Sequence, residues 1–486
     1  MIKEINLKKH LIIALFVGLW LRLLCAHFDY GPFALDDYLH GLIPAHLLVD
    51  NGSYELPNYR SWLLVWLLSF FLRVGEFFGA DNALSKIRVM LYGLGVFSLI
   101  GVYGTYLYVR NFNNKIFQIV AIYLVAIYPL SILVSTRAFG ETVAMAVILL
   151  GFGLCENARL RQQNSLNLIV GLLVLGVACL FRFHVALIWV SYAICLLIIN
   201  WRRYLLPIII GGILTLILQM LIDFESNRSL FETFISYLHV NEGGAAGYGV
   251  TPWYSTWLLS LAFILAPFSL PLFRNYRALI KSHWILLVIT LVFIAIHSLV
   301  PHKEERFMFP IVGLELIILS ALWSEELNQQ NKLSKFFLWV LIVLGVPALG
   351  IICLVNFQSA AVDPLLKTNS DQRNTLVLYQ DWNTWNDFYS ITLNEHGVAK
   401  EVELSNLNEL SMIDLANNLD SQQIVIVSSN PSLLPIISRL ATVNDNKLYC
   451  SKVYSASSLI DSIAYKLNPG HNKRRAPANY IVCDVL

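Results

Sequence analysis

The stretch Pro301-His302-Lys303-Glu304-Glu305-Arg306-Phe307-Met308-Phe309-Pro310 lies between two apolar runs, 285–300 and 307–323. Residues 302–306 are all ionisable, with both signs of charge and a histidine packed where a lipid-crossing segment meets water. Charges at that depth cost kilocalories each unless they pair or line a wet cavity, so such residues are functional candidates by default. The plain alternative is a solvated loop that stops two helices. A stop signal, however, needs neither both signs nor a histidine. The stretch therefore points to a membrane-crossing chain whose chemistry gathers at the end of its spans.

Composition agrees. Of the 486 residues 57% are hydrophobic and only 14% charged, and mean hydropathy is +0.62. That is an integral membrane protein through most of its length. A formal net charge of +2 gives no reason to expect a nucleic-acid partner, and the lack of a Walker pattern argues against an ATP-driven transporter. The seven cysteines show no metal-ligand spacing. Cys25, Cys155, Cys179, Cys195 and Cys353 lie in apolar runs as small core residues. Cys450 and Cys483 fall in the polar C-terminal part and are placed to form a disulfide if that part lies outside the cytoplasm.

Apolar runs fit to cross lie at about 11–27, 87–109, 116–135, 138–155, 166–181, 184–200, 205–222, 255–273, 284–300, 307–323 and 336–356, eleven in all. The first follows a basic start without a small-residue cleavage site, so it reads as an uncleaved span. A further run, 61–78, decides the topology. If it crossed, Arg110, Lys115, Arg159, Arg161, Arg202, Arg203, Arg274, Arg277 and Lys281 would all face away from the basic N-terminus. Laid along the interface, it returns them to the side of Lys3, Lys8 and Lys9, as the positive-inside rule requires. The expected architecture is an all-α polytopic membrane domain over 1–357, with juxtamembrane helices in a first external loop at 28–86. An external α/β domain follows at 358–486.

With that orientation the polar candidates converge on one face. The first loop carries adjacent carboxylates, Asp36 and Asp37, which suit a general base and an orienting partner, then His46 and Arg60. Arg137 and Glu141 stand four apart, where they share a helix face: they either pair structurally or present the arginine to an anionic ligand. Arg182, in Arg182-Phe183-His184, offers a second cation or snorkels to headgroups. Asn241 precedes a glycine-rich turn, and Tyr248, Trp253 and Tyr254 are either interfacial anchors or a wall for a sugar ring or isoprenoid. In the C-terminal part, strand-like runs at 375–379, 423–428 and 480–485 alternate with helix-like runs at 408–418, 432–442 and 455–467, and Asn430-Pro431-Ser432 reads as a cap with a first-turn proline.

Read together, these motifs resemble glycosyltransferase family 22, the multispan mannosyltransferases of N-glycan and GPI-anchor assembly. HKEERFMFP at 302–310 looks like the family signature. LDDYLHGLIPAH at 35–46, YRSW at 59–62, STRAFGE at 135–141 and YGVTPWY at 248–254 are similar to four further segments in the expected order. Leu35 stands where the family has proline, and Asp37 where it has glutamate. The resemblance implies the GT-C fold, with transfer of a sugar, most often mannose, from a polyprenyl- or dolichyl-phosphate donor to a glycan or glycolipid acceptor on the noncytoplasmic face.

The expected mechanism is an inverting single displacement. Asp36, with Asp37 as the second choice, takes the acceptor proton. Arg306, His302 and Lys303 stabilise the departing lipid phosphate, with Arg137 and Arg182 in support. Glu304, Glu305 and Glu141 orient those cations or bind sugar hydroxyls. Arg60, His46, Asn241, Tyr248, Trp253 and Tyr254 are candidates for acceptor or sugar binding. Neither a metal nor another cofactor is required by this scheme. The rival class is a secondary transporter or lipid-linked sugar flippase, which would place its polar groups near midplane within inverted repeats.

Overall fold

The computed structural model describes residues 6–31, 33, 36, 38–50, 52, 54–244, 249–366, 374–380, 398–418, 421–440, 444–445, 448–467 and 476–485. Asp37 and Tyr248 lie outside the described residues. The chain divides into two compact units, one of Met1–Ala26, Glu55–Leu67 and Tyr92–Cys353, the other of His27–Tyr54, Leu68–Leu91 and Leu354–Leu486.

Among the described residues seven helices are long and apolar enough to cross a membrane, eight if the bent pair Lys115–Ile127 and Pro129–Ser135 is one span. The expected runs differ from single straight crossings at three places. The runs 184–200 and 205–222 are two helical halves of Ala186–Glu225, set apart by a kink at Asn200, whose backbone is not helical (φ −165°, ψ 90°). There the Asn200 side chain accepts from Arg203 N at 3.2 Å and caps the second half. The run 166–181 forms Ser165–Phe181, whose 17 residues lie at the short end of what crosses a bilayer. The run 255–273 is not one helix: Ser255–Phe263 stops after nine residues. Leu265 takes φ +58°, and Pro267 has no N–H with which to continue a helix.

The bend in the 115–135 pair has a local cause. Pro129 lacks an N–H, so the helical partner of Val125 O is missing. The Ser131 hydroxyl donates to that carbonyl at 2.7 Å. Arg22, fully buried in Leu7–Phe28, donates to Ala126 O at 2.6 Å and to Ser98 Oγ at 2.7 Å. A charge inside the first apolar run thus satisfies the backbone at a helix break, a role that spacing alone did not suggest.

Elsewhere glycines let the spans touch backbone to backbone, as lipid-embedded helices require. A Cβ on Gly153 would sit 2.0 Å from Gly104 O, and one on Gly104 would sit 2.2 Å from Leu149 O. Gly153→Ala is expected to destabilise this contact by about 1–3 kcal/mol, read as a lower Tm of the purified protein in detergent. An unchanged Tm would mean that these helices stand further apart.

The run 61–78 forms Leu63–Phe77, 15 residues long. At about 1.5 Å per residue it is too short for a core of about 30 Å. Leu64, Val65, Leu68 and Leu72 are buried, while Phe70, Val74 and Phe77 are exposed. The helix thus keeps an apolar outer face.

Among the described residues the C-terminal segment builds a seven-stranded sheet from β1 (Thr375–Tyr379), β2 (Val398–Glu401), β3 (Gln423–Ser428), β4 (Asn444–Asp445), β5 (Leu448–Cys450), β6 (Tyr454–Ala456) and β7 (Ala478–Val485). Its order is β2-β1-β3-β7-β5-β4, with β6 also on β7. β1 runs parallel to β2 and β3, and β7 runs antiparallel to β3 and β5. The expected strands are β1, β3 and β7, and the expected helices are Glu409–Asn418, Leu434–Leu440 and Leu459–Leu467. Asn430 Oδ1 accepts from Ser432 N at 3.0 Å, the cap read from the sequence. Cys450 and Cys483 face each other across β5 and β7 and are joined by a disulfide.

Candidate active site

In the first unit several helix ends bring their polar residues together. Pro129–Ser135 stops at Thr136, and Gly140–Leu160 starts with Glu141 in its first turn. Arg137 and Glu141 therefore do not share a helix. Glu141 instead forms an ion pair with Arg182, the residue that ends Ser165–Phe181. The i, i+4 spacing misleads here, because the partner is chosen by the packing of two helix termini. Arg137 itself is fully buried, and its carbonyl accepts from Thr142 Oγ1 at 2.6 Å.

The 302–306 stretch folds into an internally braced turn that runs into the 3₁₀ segment Glu305–Ile311. Glu304 is held on both oxygens, with His302 Nε2 at 3.0 Å from Oε1 and Arg306 Nε at 2.6 Å from Oε2. One carboxylate thus contacts both the histidine and the arginine. Arg306 lies over the Phe139 and Phe307 rings at 5.3 and 5.4 Å, so its guanidinium plane is fixed by stacking as well as by charge. Lys303 Nζ donates to Thr251 O at 3.1 Å and to Val300 O at 2.5 Å, and Thr251 N donates to Pro301 O at 3.0 Å. Burial pulls the Lys303 ammonium below the ordinary lysine value. The lysine thus latches the 249–254 loop onto the signature.

A further residue that the sequence reading passed over lies in the same unit. His184 has Arg182, Arg306 and Arg60 within electrostatic reach. Its ring packs edge-on against His297, centroids 5.1 Å apart, and near Phe293 and Phe307. His297 is fixed in turn by Nδ1 at 2.9 Å from Phe293 O. Tyr237, on Glu232–Gly244, feels Arg182, Glu141 and Arg60, and burial pushes its phenol above the usual tyrosine value. The signal for His184 was the tripeptide Arg182-Phe183-His184, read only for its arginine. His297 looked like the tail of an apolar run.

Not every candidate joins the cluster. Glu305 is exposed, and Asn241 turns back to donate to Tyr237 O at 2.7 Å. Trp253 and Tyr254 are exposed and pack edge-on against each other. Among the described residues no hydrogen bond or ion pair links these four to the arginines. In the second unit, Asp36 Oδ1 lies 3.8 Å from His40 Nε2. His46 is fully buried with Nδ1 3.3 Å from Asp50 Oδ2, and Asp50 is shared with Lys86 at 3.7 Å. His46 therefore sits at the buried end of a partly exposed chain of charges through Asp50 and Lys86. Among the described residues no group of three or more His, Cys, Asp or Glu is arranged to hold a metal.

Two arginines braced by glutamates, one of them laid over aromatic rings, suit an anion with an apolar neighbour. Residues 49–383 match the family model described as the Alg9-like mannosyltransferase family. The chain is 22% identical over 336 residues to GPI mannosyltransferase 3 of Debaryomyces hansenii, covering 65% of this chain and 60% of that protein. It is 34% identical over 127 residues to alpha-1,2-mannosyltransferase ALG9 of Saccharomyces cerevisiae, covering 25% and 22%. The chain thus spans about 60% of the first of these and less of the second.

Among solved structures, ArnT from Cupriavidus metallidurans bound to undecaprenyl phosphate superposes with a TM-score of 0.58 at 12% identity over 98% of both chains. The apo oligosaccharyltransferase of Archaeoglobus fulgidus gives 0.52 at 12% identity over 87% of this chain and 70% of that one. Such likeness establishes the fold: this is an integral, multi-pass protein of the GT-C class with a small C-terminal sheet.

Proposed function

The chain belongs to the Alg9-like mannosyltransferase family, and on that premise we propose that it is a membrane glycosyltransferase. It moves a sugar, mannose, from a polyprenyl- or dolichyl-phosphate carrier to the hydroxyl of a glycan or glycolipid on the noncytoplasmic face. The observation that carries this reading is a pair of carboxylate-braced arginines at helix ends, Arg306 held by Glu304 and laid over Phe139 and Phe307, and Arg182 paired with Glu141. The lipid phosphate in the ArnT structure, which shares the fold, is in keeping with it. So is the Cys450–Cys483 disulfide, since such bonds persist outside the cytoplasm.

In the proposed step, Asp36, or Asp37 in its place, takes the acceptor proton. The acceptor oxygen bonds to the anomeric carbon from the face opposite the phosphate, and the carbon–oxygen bond to the phosphate breaks. The electron pair leaves with the lipid phosphate, an anion stable enough to need no protonating acid. Arg306, fixed by Glu304 and two aromatic rings, and Arg182, fixed by Glu141, hold the charge that develops on it. Inversion at the anomeric carbon follows from a single displacement.

The test is to reconstitute the purified protein in vesicles with radiolabelled polyprenyl-phosphate mannose and a membrane lipid extract. Labelled glycolipid is expected. Movement of label across the bilayer without transfer would make the protein a flippase.

A further inference from the structure

The segment that carries Tyr59 and Arg60 has neither helix nor strand over residues 55–61, yet its backbone is held by one distant side chain. Arg228 Nη1 donates to Arg60 O at 2.7 Å, to Asn58 O at 3.3 Å and to Thr233 Oγ1 at 3.0 Å. Its Nη2 donates to Leu56 O at 2.8 Å and Pro57 O at 3.3 Å. Four carbonyls in five consecutive residues therefore point at one guanidinium.

The clamp is itself braced. Asn227, at φ +55°, turns the chain out of Ala186–Glu225, and Arg228 N donates to Asp223 O at 2.9 Å. Asp223 Oδ1 accepts from Gln219 Nε2 at 2.9 Å and from the Thr233 hydroxyl. Glu232 adds a second tether, accepting from Asn58 Nδ2 at 2.8 Å on one oxygen and from Ser229 N at 2.8 Å on the other.

We propose that Arg228 is a positioning residue, whose guanidinium shapes the 56–60 backbone so that Arg60 is presented to the anion site beside Arg182 and His184. This rests on the lipid-phosphate reading of that site. Arg228 spends its donors on carbonyls and a threonine, so its effect on a ligand passes through Arg60. A planar fork reaches carbonyls on both of its nitrogens, whereas a lysine ammonium offers a single point charge. Arg228→Lys is therefore expected to behave like Arg228→Ala.

The full-length protein would be tested by native mass spectrometry for binding of undecaprenyl phosphate, with undecaprenol as the uncharged control. Arg60→Ala should weaken the phosphate lipid by about tenfold, the loss of one charge-assisted contact. Arg228→Ala and Arg228→Lys should each weaken it by a similar factor without touching undecaprenol. The double variant Arg60→Ala/Arg228→Ala should bind no more weakly than Arg60→Ala alone. Losses that multiply in the double variant, wild-type binding by Arg228→Lys, or a silent Arg60→Ala with a weakened Arg228→Ala would each overturn the proposal.

If the wild type binds the phosphate and the alcohol alike, the lipid-phosphate reading itself is wrong. Hydrogen exchange then still decides the positioning role: amides of residues 55–62 should exchange faster in Arg228→Ala than in the wild type, and equal rates would refute the clamp.

Discussion

Arg306→Lys is expected to leave a folded, membrane-inserted protein that has lost sugar transfer by about 10²–10³-fold, the range found when one preorganised donor to a developing anion is removed. The substitution keeps the positive charge, so a large loss would show that geometry matters. Arg306 is held by Glu304 at 2.6 Å and lies over Phe139 and Phe307, which fixes its plane before any ligand arrives. Lysine replaces that fork with a flexible, strongly hydrated ammonium that neither stacks nor binds two oxygens side by side. Initial rates in vesicles, with donor binding measured alongside, check this. Transfer within a few-fold of wild type would mean that only charge is needed at 306.

Asp36→Asn should lower turnover by about 10²–10⁴-fold while leaving donor binding intact, because a general base acts on the acceptor proton and not on the lipid phosphate. The amide keeps the size of the carboxylate and its hydrogen-bonding reach, so the change isolates proton acceptance. The readout is the split between product formation and binding of the labelled donor. Wild-type turnover would remove Asp36 from the base role and pass it to Asp37. A loss of donor binding equal to the loss of turnover would place Asp36 in recognition instead.

Much of the fold was legible because lipid imposes simple rules on sequence. Apolar run length located most of the long apolar helices, and the run 61–78 forms the short helix Leu63–Phe77 with Phe70 and Phe77 exposed. The longer strands of the C-terminal sheet were visible as apolar runs, but β2, β4, β5 and β6 have only two to four residues each, too few for a pattern to build up. The broken crossing at 255–273 was hidden because hydropathy does not register where a proline lacks its N–H.

Within the site, the contiguous signature at 302–306 could be read because its residues brace one another locally. The Glu141 partner could not, since Arg182 arrives from another helix, 41 residues later. His184, His297 and Arg228 were missed for the same reason. Each draws its meaning from groups that come together only when helix ends pack.

The measurement that tests the central claim most directly is a structure of the protein with undecaprenyl phosphate bound. The phosphate should sit within hydrogen-bonding distance of the Arg306 guanidinium, with Arg182 also facing it and the isoprenoid chain leading away along apolar side chains. A phosphate bound elsewhere, with Arg306 and Glu304 still closed on each other as they are here, would contradict the assignment of this arginine cluster as the donor site.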